Sequence, residues 1–312
     1  MTTPLIDLTR FPGRGWYAGI AEQMRAAPAG ISLLNTSVLA RWAQHLRARP
    51  ADILLLATAQ EAIRVAIQAL VVPSDVVLLA RPLPPEWLMA VLHAGARYLD
   101  VGRRFDGPTP TGGLNHAAAH RAALAHPQAI AIAELATWSG ANDAALAADL
   151  PIRGVIVDAR RHADCLGPQL PGARAPLTLV ALRDPDRPSE PVLYALIVPD
   201  QQREALAMAS GPTALPETQA EHAFAVLDGL QRQPTWPAAM QARLATRYAQ
   251  FQQAVANRPG VVLLGQTGLE AAALCLADDG EEIAQALAGE FPEVVAWPMT
   301  DMRGLLTVDL LR

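Results

Sequence analysis

Residues 53–79 read ILLLATAQEAIRVAIQALVVPSDVVLL, and the fold follows from how this stretch divides. Ile53–Leu56 is apolar at every position, too short for a helix and bounded by Thr58 and Gln60. Ala62, Ile63, Ala66, Ile67 and Leu70 then recur at the spacing of one face of an amphipathic helix. Pro73-Ser74-Asp75 breaks that helix, and Val76–Leu79 is a second wholly apolar run. Short apolar strands separated by single helices are buried on both faces, the property of a parallel sheet.

The rhythm continues downstream. Glu86–His93 reads as helix, Arg97–Val101 as strand, Leu114–Ala125 as helix, Ala129–Ala133 as strand, Asp143–Asp149 as helix and Val155–Val157 as strand. Upstream, Pro12-Gly13-Arg14-Gly15 reads as a loop, and a helix around Thr36–Arg47 carries Leu39, Trp42 and Leu46. Leu177–Leu182 and Val192–Val198 have only a loop between them, which predicts an antiparallel member in the sheet. From Pro216 the texture changes: helices are expected over Glu217–Leu230 and Trp236–Ala256, then strands over Val261–Leu264 and Ala271–Leu276. A helix over Glu281–Ala288 and a strand over Leu305–Leu310 follow. The fold class expected is α/β, a mostly parallel sheet sandwiched by helices and followed by a small α+β domain. The divisions expected are an N-terminal segment 1–47, a large domain 48–212, and linking helices with the small domain over 213–312.

Composition narrows the chemistry. At 18% charged and 51% hydrophobic, the 312 residues are too apolar for disorder and sufficient for a large core. A net charge of -5 gives no electrostatic reason to bind nucleic acid or an anionic membrane. No apolar run approaches the roughly 18 residues of a membrane span, and no signal-peptide pattern opens the chain. Cys165 and Cys275 make no disulfide framework, so a cytoplasmic location is expected. All 25 basic residues are arginine; the sequence has no lysine. That excludes a Schiff-base lysine and a Walker A lysine alike.

The order of elements and several local strings resemble the fold-type-I pyridoxal-phosphate (PLP) superfamily, nearest to the DegT/DnrJ/EryC1/StrS sugar aminotransferases. Thr58-Ala59-Gln60-Glu61-Ala62-Ile63 resembles the turn and helix start that hold the cofactor phosphate in those families. Val155-Ile156-Val157-Asp158 resembles the strand ending in the aspartate that pairs with the pyridine nitrogen, and Arg161 stands at a glutamine position of the run that follows. Leu177–Arg183 and Val192–Asp200 resemble the strands flanking the lysine loop. The resemblance implies a seven-stranded sheet, a homodimer and a small-molecule ligand. The cofactor-binding positions it implies are Thr58, Ala59, Gln60, Trp87, Asp158, Arg161, Arg183 and Arg187.

The departures matter as much. Where the lysine belongs stands Arg183-Asp184-Pro185-Asp186-Arg187-Pro188-Ser189, and arginine stays protonated and forms no aldimine. Leu193-Tyr194 replaces paired glycines, the stacking aromatic falls near Pro84 with Trp87 the nearest substitute, and the phosphate-turn glycine is missing. No catalytic residue is assigned and no covalent cofactor is expected, although PLP or pyridoxamine phosphate (PMP) held non-covalently stays open. The expectation is an inactive aminotransferase-like protein with a binding, regulatory or dimer-partner role. The alternative is a lysine-independent enzyme using PMP or PLP on a sugar nucleotide or amino acid.

Other constellations carry plainer readings. Asp158 also reads as a carboxylate that caps the following segment or pairs with Arg160 or Arg161. His116 and His120 share a helix face at i,i+4 but lack a third ligand nearby, so no metal is expected. A repurposed hydrolase or metal-dependent enzyme built on them, or on His162 and Cys165 with Asp164 nearby, is a third reading; sequence neighbours on one loop rarely assemble a triad. Gly107 to Gly113 lacks dinucleotide spacing and reads as loop, and Trp16, Trp42, Trp236 and Trp297 read as packing.

Overall fold

A computed structural model describes residues 29–81, 83–103, 114–135, 143–162, 176–187, 190–198, 202–210, 215–233, 235–256, 258–275, 280–291, 294–297 and 304–310. Helix α1 (Ala29–Leu46) leads into β1 (Ile53–Leu56), α2 (Ala59–Leu70), β2 (Val76–Leu79), α3 (Pro85–His93) and β3 (Arg97–Asp100). Then come α4 (His116–Ala125), β4 (Ile130–Glu134), α5 (Asp143–Ala148), β5 (Gly154–Asp158), β6 (Leu177–Arg183) and β7 (Pro191–Ile197). Helices α6 (Arg203–Ser210), α7 (Glu217–Arg232) and α8 (Trp236–Ala256) lead to β8 (Val261–Thr267), β9 (Glu270–Cys275), α9 (Gly280–Leu287), β10 (Val294–Trp297) and β11 (Gly304–Asp309).

The first seven strands form one sheet in the order β1-β7-β6-β5-β4-β2-β3. β7 is antiparallel to β6 and to β1, while the β2–β3, β2–β4, β4–β5 and β5–β6 pairs are parallel. β7 is therefore the antiparallel member that the helix-free link predicts, and β1 runs in the same direction as the remaining strands. A second, antiparallel sheet has the order β10-β11-β9-β8.

Alternation explains why the central strands are apolar throughout. Ile130, Ile132, Ile156, Leu177 and Leu179 join one core layer with Ala62, Ile63 and Ile67 of α2 and Trp87 of α3. Ala131, Ala133, Val155 and Val157 face the opposite layer, against Ala119 and Ala123 of α4 and Ala147 of α5. Each side chain removed from water contributes about 1.5–3 kcal/mol when it is of Val, Leu or Ile size, so neither face tolerates a polar position without a partner. A third, larger layer joins Trp42 of α1, Val180 and Leu182 of β6, Leu227 of α7 and Phe251 of α8 to Ala273 of β9 and Leu306 of β11.

Local signals set the ends. Thr58, in extended conformation, caps α2 by accepting the Glu61 N–H at 3.1 Å. Past α3, Gly95 takes φ +71°, a left-handed turn that a side chain resists.

Three elements differ from expectation. The first helix starts at Ala29 rather than Thr36, because Gly30, Ser32 and Asn35 are weak helix formers that hid its first turns. Helix α6 has no strong sequence signal: among its described side chains, Leu206 is the deeply buried anchor. Strand β10 was also not expected; it is a four-residue edge whose partner, β11, comes only after residue 303.

Candidate functional site

Asp158 ends β5 at the carboxyl edge of the sheet, where open α/β folds present groups to ligands. Period two places it on the face of Ile156, under α3, and it is 8% exposed. Its carboxylate is met from three directions. Arg160 donates from Nε to Oδ1 at 3.0 Å and from Nη2 to Oδ2 at 2.7 Å, and its backbone N–H donates to Oδ1 at 3.1 Å. The Trp87 indole Nε1–H reaches Oδ2 at 2.7 Å. Four N–H donors thus meet the carboxylate, with Arg160 Nε shared between Oδ1 and Oδ2 (3.1 Å), which matches its full complement of about four lone-pair sites.

The electrostatics agree with this geometry. Burial by itself would raise the Asp158 pKa, but the charge and hydrogen bonds of Arg160, together with the Trp87 indole, hold it below the ordinary carboxylate value. Burial opposes the Arg160 charge, and Asp158 overcomes that and raises its pKa. Arg183, buried at the end of β6, donates from Nη2 to the Arg160 carbonyl at 3.0 Å. Tyr194 of β7 lies half-buried beside both arginines; burial raises its phenol pKa and the two guanidinium charges oppose the rise.

The remaining predicted residues divide. Thr58, Ala59 and Gln60 open α2 at the same sheet edge, with Thr58 and Gln60 exposed. Three strand spacings, about 14 Å, separate β1 from β5. Arg161 faces the second sheet: its guanidinium pairs with Glu270 of β9, and its carbonyl accepts the Leu269 N–H at 3.0 Å. Arg187 is exposed on the β6–β7 turn, where its N–H donates to the Asp184 carbonyl at 3.0 Å. The structure therefore brings Trp87, Asp158 and Arg183 together around Arg160, and leaves Arg161 and Arg187 directed elsewhere.

A second polar cluster lies beside the first. The Arg103 side chain, almost wholly buried, donates from Nη2 to Glu134 at 2.5 Å and from Nη1 to Asp143 at 3.4 Å. Asp143 also accepts the Leu114 N–H at 2.9 Å. Burial pushes its carboxyl up to about 6, and the Leu114 N–H and the Arg103 charge offset only part of this.

His116 and His120 stand with ring centroids 6.1 Å apart, and among the described residues no group of three His, Cys, Asp or Glu is placed to hold a metal ion. His162 donates its backbone N–H to Ala159, while Asp164, Cys165 and residues 107–113 lie outside the described residues. Cavities of about 460 and 530 Å³ run along α8, lined by Arg243, Thr246, Arg247 and Gln250 among others, and neither touches Asp158 or Thr58.

No protein-family model matches the sequence, and no curated protein is significantly similar to it. Solved structures are similar over nearly the whole chain. The N-succinyldiaminopimelate aminotransferase of Mycobacterium tuberculosis is 21% identical with a TM-score of 0.66, covering 95% of this chain and 84% of its own. The histidinol-phosphate aminotransferase of Sinorhizobium meliloti, solved with pyridoxal-5'-phosphate, is 14% identical with a TM-score of 0.67 over 89% of this chain and 79% of its own. The Escherichia coli methionine aminotransferase YbdL is 17% identical with a TM-score of 0.65 over 100% of this chain and 96% of its own. The fold is that of the aminotransferases.

Within that aminotransferase fold, the residues present do not fit the cofactor it implies. No amine exists anywhere in the sequence as a lysine, and the carboxylate at the end of β5 has no acceptor site left for a ring nitrogen. The sequence offers Trp87 only as the nearest substitute for a stacking aromatic expected near Pro84; the structure shows its N–H bonded to Asp158 and its ring in the core. Arg160 was named only as a pairing partner for Asp158. Tyr194 and Glu270 were not anticipated as neighbours at all, since nothing local in sequence links β7 or β9 to β5.

Proposed function

We propose that this chain is an aminotransferase-fold protein without transaminase chemistry, kept as a binding, regulatory or dimer-partner subunit. The observation that carries the reading is the absence of lysine from all 312 residues. An internal aldimine needs an amine, and the cations of the β6–β7 link, Arg183 and Arg187, carry guanidinium groups, which form no aldimine. The DegT-type likeness rests on the spacing from Asp158 to Gly167 and on the strands flanking the lysine-free loop. A homodimer in the cytoplasm completes the proposal; among the described residues no helix is long and apolar enough to cross a membrane.

The test is prolonged incubation with PLP, followed by absorption spectroscopy, assay for transamination, and sedimentation of the pure protein. We expect no aldimine band, no turnover and a particle of twice the 33.2 kDa subunit. Transaminase turnover by the pure chain overturns the reading. The second reading, a lysine-independent enzyme with non-covalent PMP, is favoured by an ionised carboxylate kept at the carboxyl edge of the sheet. It requires Arg160 and Trp87 to release that carboxylate. Calorimetric titration with PMP and with nucleotide sugars, followed by assay for conversion of the sugar or amino acid, separates the two, since PMP-dependent turnover belongs to the second alone.

A further inference from the structure

At the carboxyl edge of the parallel strands Asp158 presents a deeply buried carboxylate, and its hydrogen bonds are complete before any ligand arrives. Arg160 reaches it from two residues along the chain, so the competition any outside molecule faces is intramolecular. The arginine is also fixed at several points. Its guanidinium and its backbone N–H are bonded to Asp158, its carbonyl accepts from Arg183 of β6, and Trp87 of α3 bonds the same carboxylate. A guanidinium offers the carboxylate two adjacent N–H donors, whereas a protonated pyridine offers one.

We propose that Arg160 is a built-in occupant of the Asp158 seat, closing it to PLP and PMP and holding β5, β6 and α3 together as a bound ligand would. The seat itself takes a planar cation with adjacent N–H donors. Once Arg160 is truncated, an alkylguanidinium fills it. This inference rests on the proposed loss of the internal aldimine, but it can fail separately.

The experiment uses the full chain. Arg160→Ala lowers the melting temperature by roughly 10 °C, the consequence of leaving one buried charge unpaired. Millimolar methylguanidinium then raises the melting temperature of Arg160→Ala saturably, and leaves wild type and the double variant Arg160→Ala/Asp158→Asn unmoved. An equal response in the double variant, or no response in Arg160→Ala, overturns the proposal. If Arg160→Ala does not fold, the wild type decides by hydrogen exchange. The Arg160 Nε–H and Trp87 indole N–H signals, assigned through Arg160→Lys and Trp87→Phe, are expected to exchange slowly and to ignore millimolar PMP. Exchange at the free-solvent rate, or PMP binding that Asp158→Asn abolishes, overturns the closed seat. PMP binding without turnover leaves the non-transaminase reading standing, whereas turnover removes both.

Discussion

At the scale of single residues, the site is governed by which donors a buried carboxylate collects. Trp87→Phe keeps the ring in its core layer and removes one of four donors to Asp158. The expected loss is about 1–3 kcal/mol in denaturant unfolding, with no change in the denaturant slope. Asp143 provides a pH dependence of the opposite kind. Its folded pKa of about 6 lies above its ordinary value of 3.8, so between those values the folded chain holds a proton that the unfolded chain has lost. Stability therefore falls as pH rises from about 4 through 6. Asp143→Asn removes this titration. At pH 8 it is expected to exceed wild type by up to roughly 3 kcal/mol, and near pH 4 to match it, as read by urea unfolding at each pH. Asp158 has the other sign: its lowered pKa means its contribution is complete above about 4 and is lost only as pH falls below that toward its folded value.

Elements were the most legible level, and the reasons are local. Wholly apolar runs such as Ile53–Leu56 and Val76–Leu79 declare strands buried on both faces, and the structure places them in one sheet. The cap is equally visible. Thr58→Ala removes the acceptor for the Glu61 N–H, with an expected cost of about 1 kcal/mol and faster hydrogen exchange confined to the first turn of α2; Thr58→Ser restores both. What was not legible had weak local signals: α6 carries a single deep anchor among its described side chains, and β10 pairs with a strand that follows only after a further segment. The candidate site was half legible. Asp158 stands at a strand end that its sequence announces, and Arg160 follows two residues later. Trp87 lies 71 residues away and meets the carboxylate only because α3 covers the Ile156 face.

For the whole molecule, the decisive fact is that one apolar layer runs from β6 and β7 through α7 and α8 into β9 and β11. Arg161 adds a polar strut across the same boundary, through Glu270 and the Leu269 N–H. The two sheets are therefore expected to unfold together, with tryptophan fluorescence and far-ultraviolet circular dichroism giving coincident transitions; two separated transitions would show that the layer does not couple them. The saturated carboxylate has a consequence for redesign. Introducing an amine with Arg187→Lys leaves Asp158 engaged by its own chain, so the variant is expected to show no PLP absorbance and no activity. Freeing Asp158 first strands a bare anion in the interior. Neither single change suffices, so an aldimine-forming site on a chain folded in this way requires two substitutions made together.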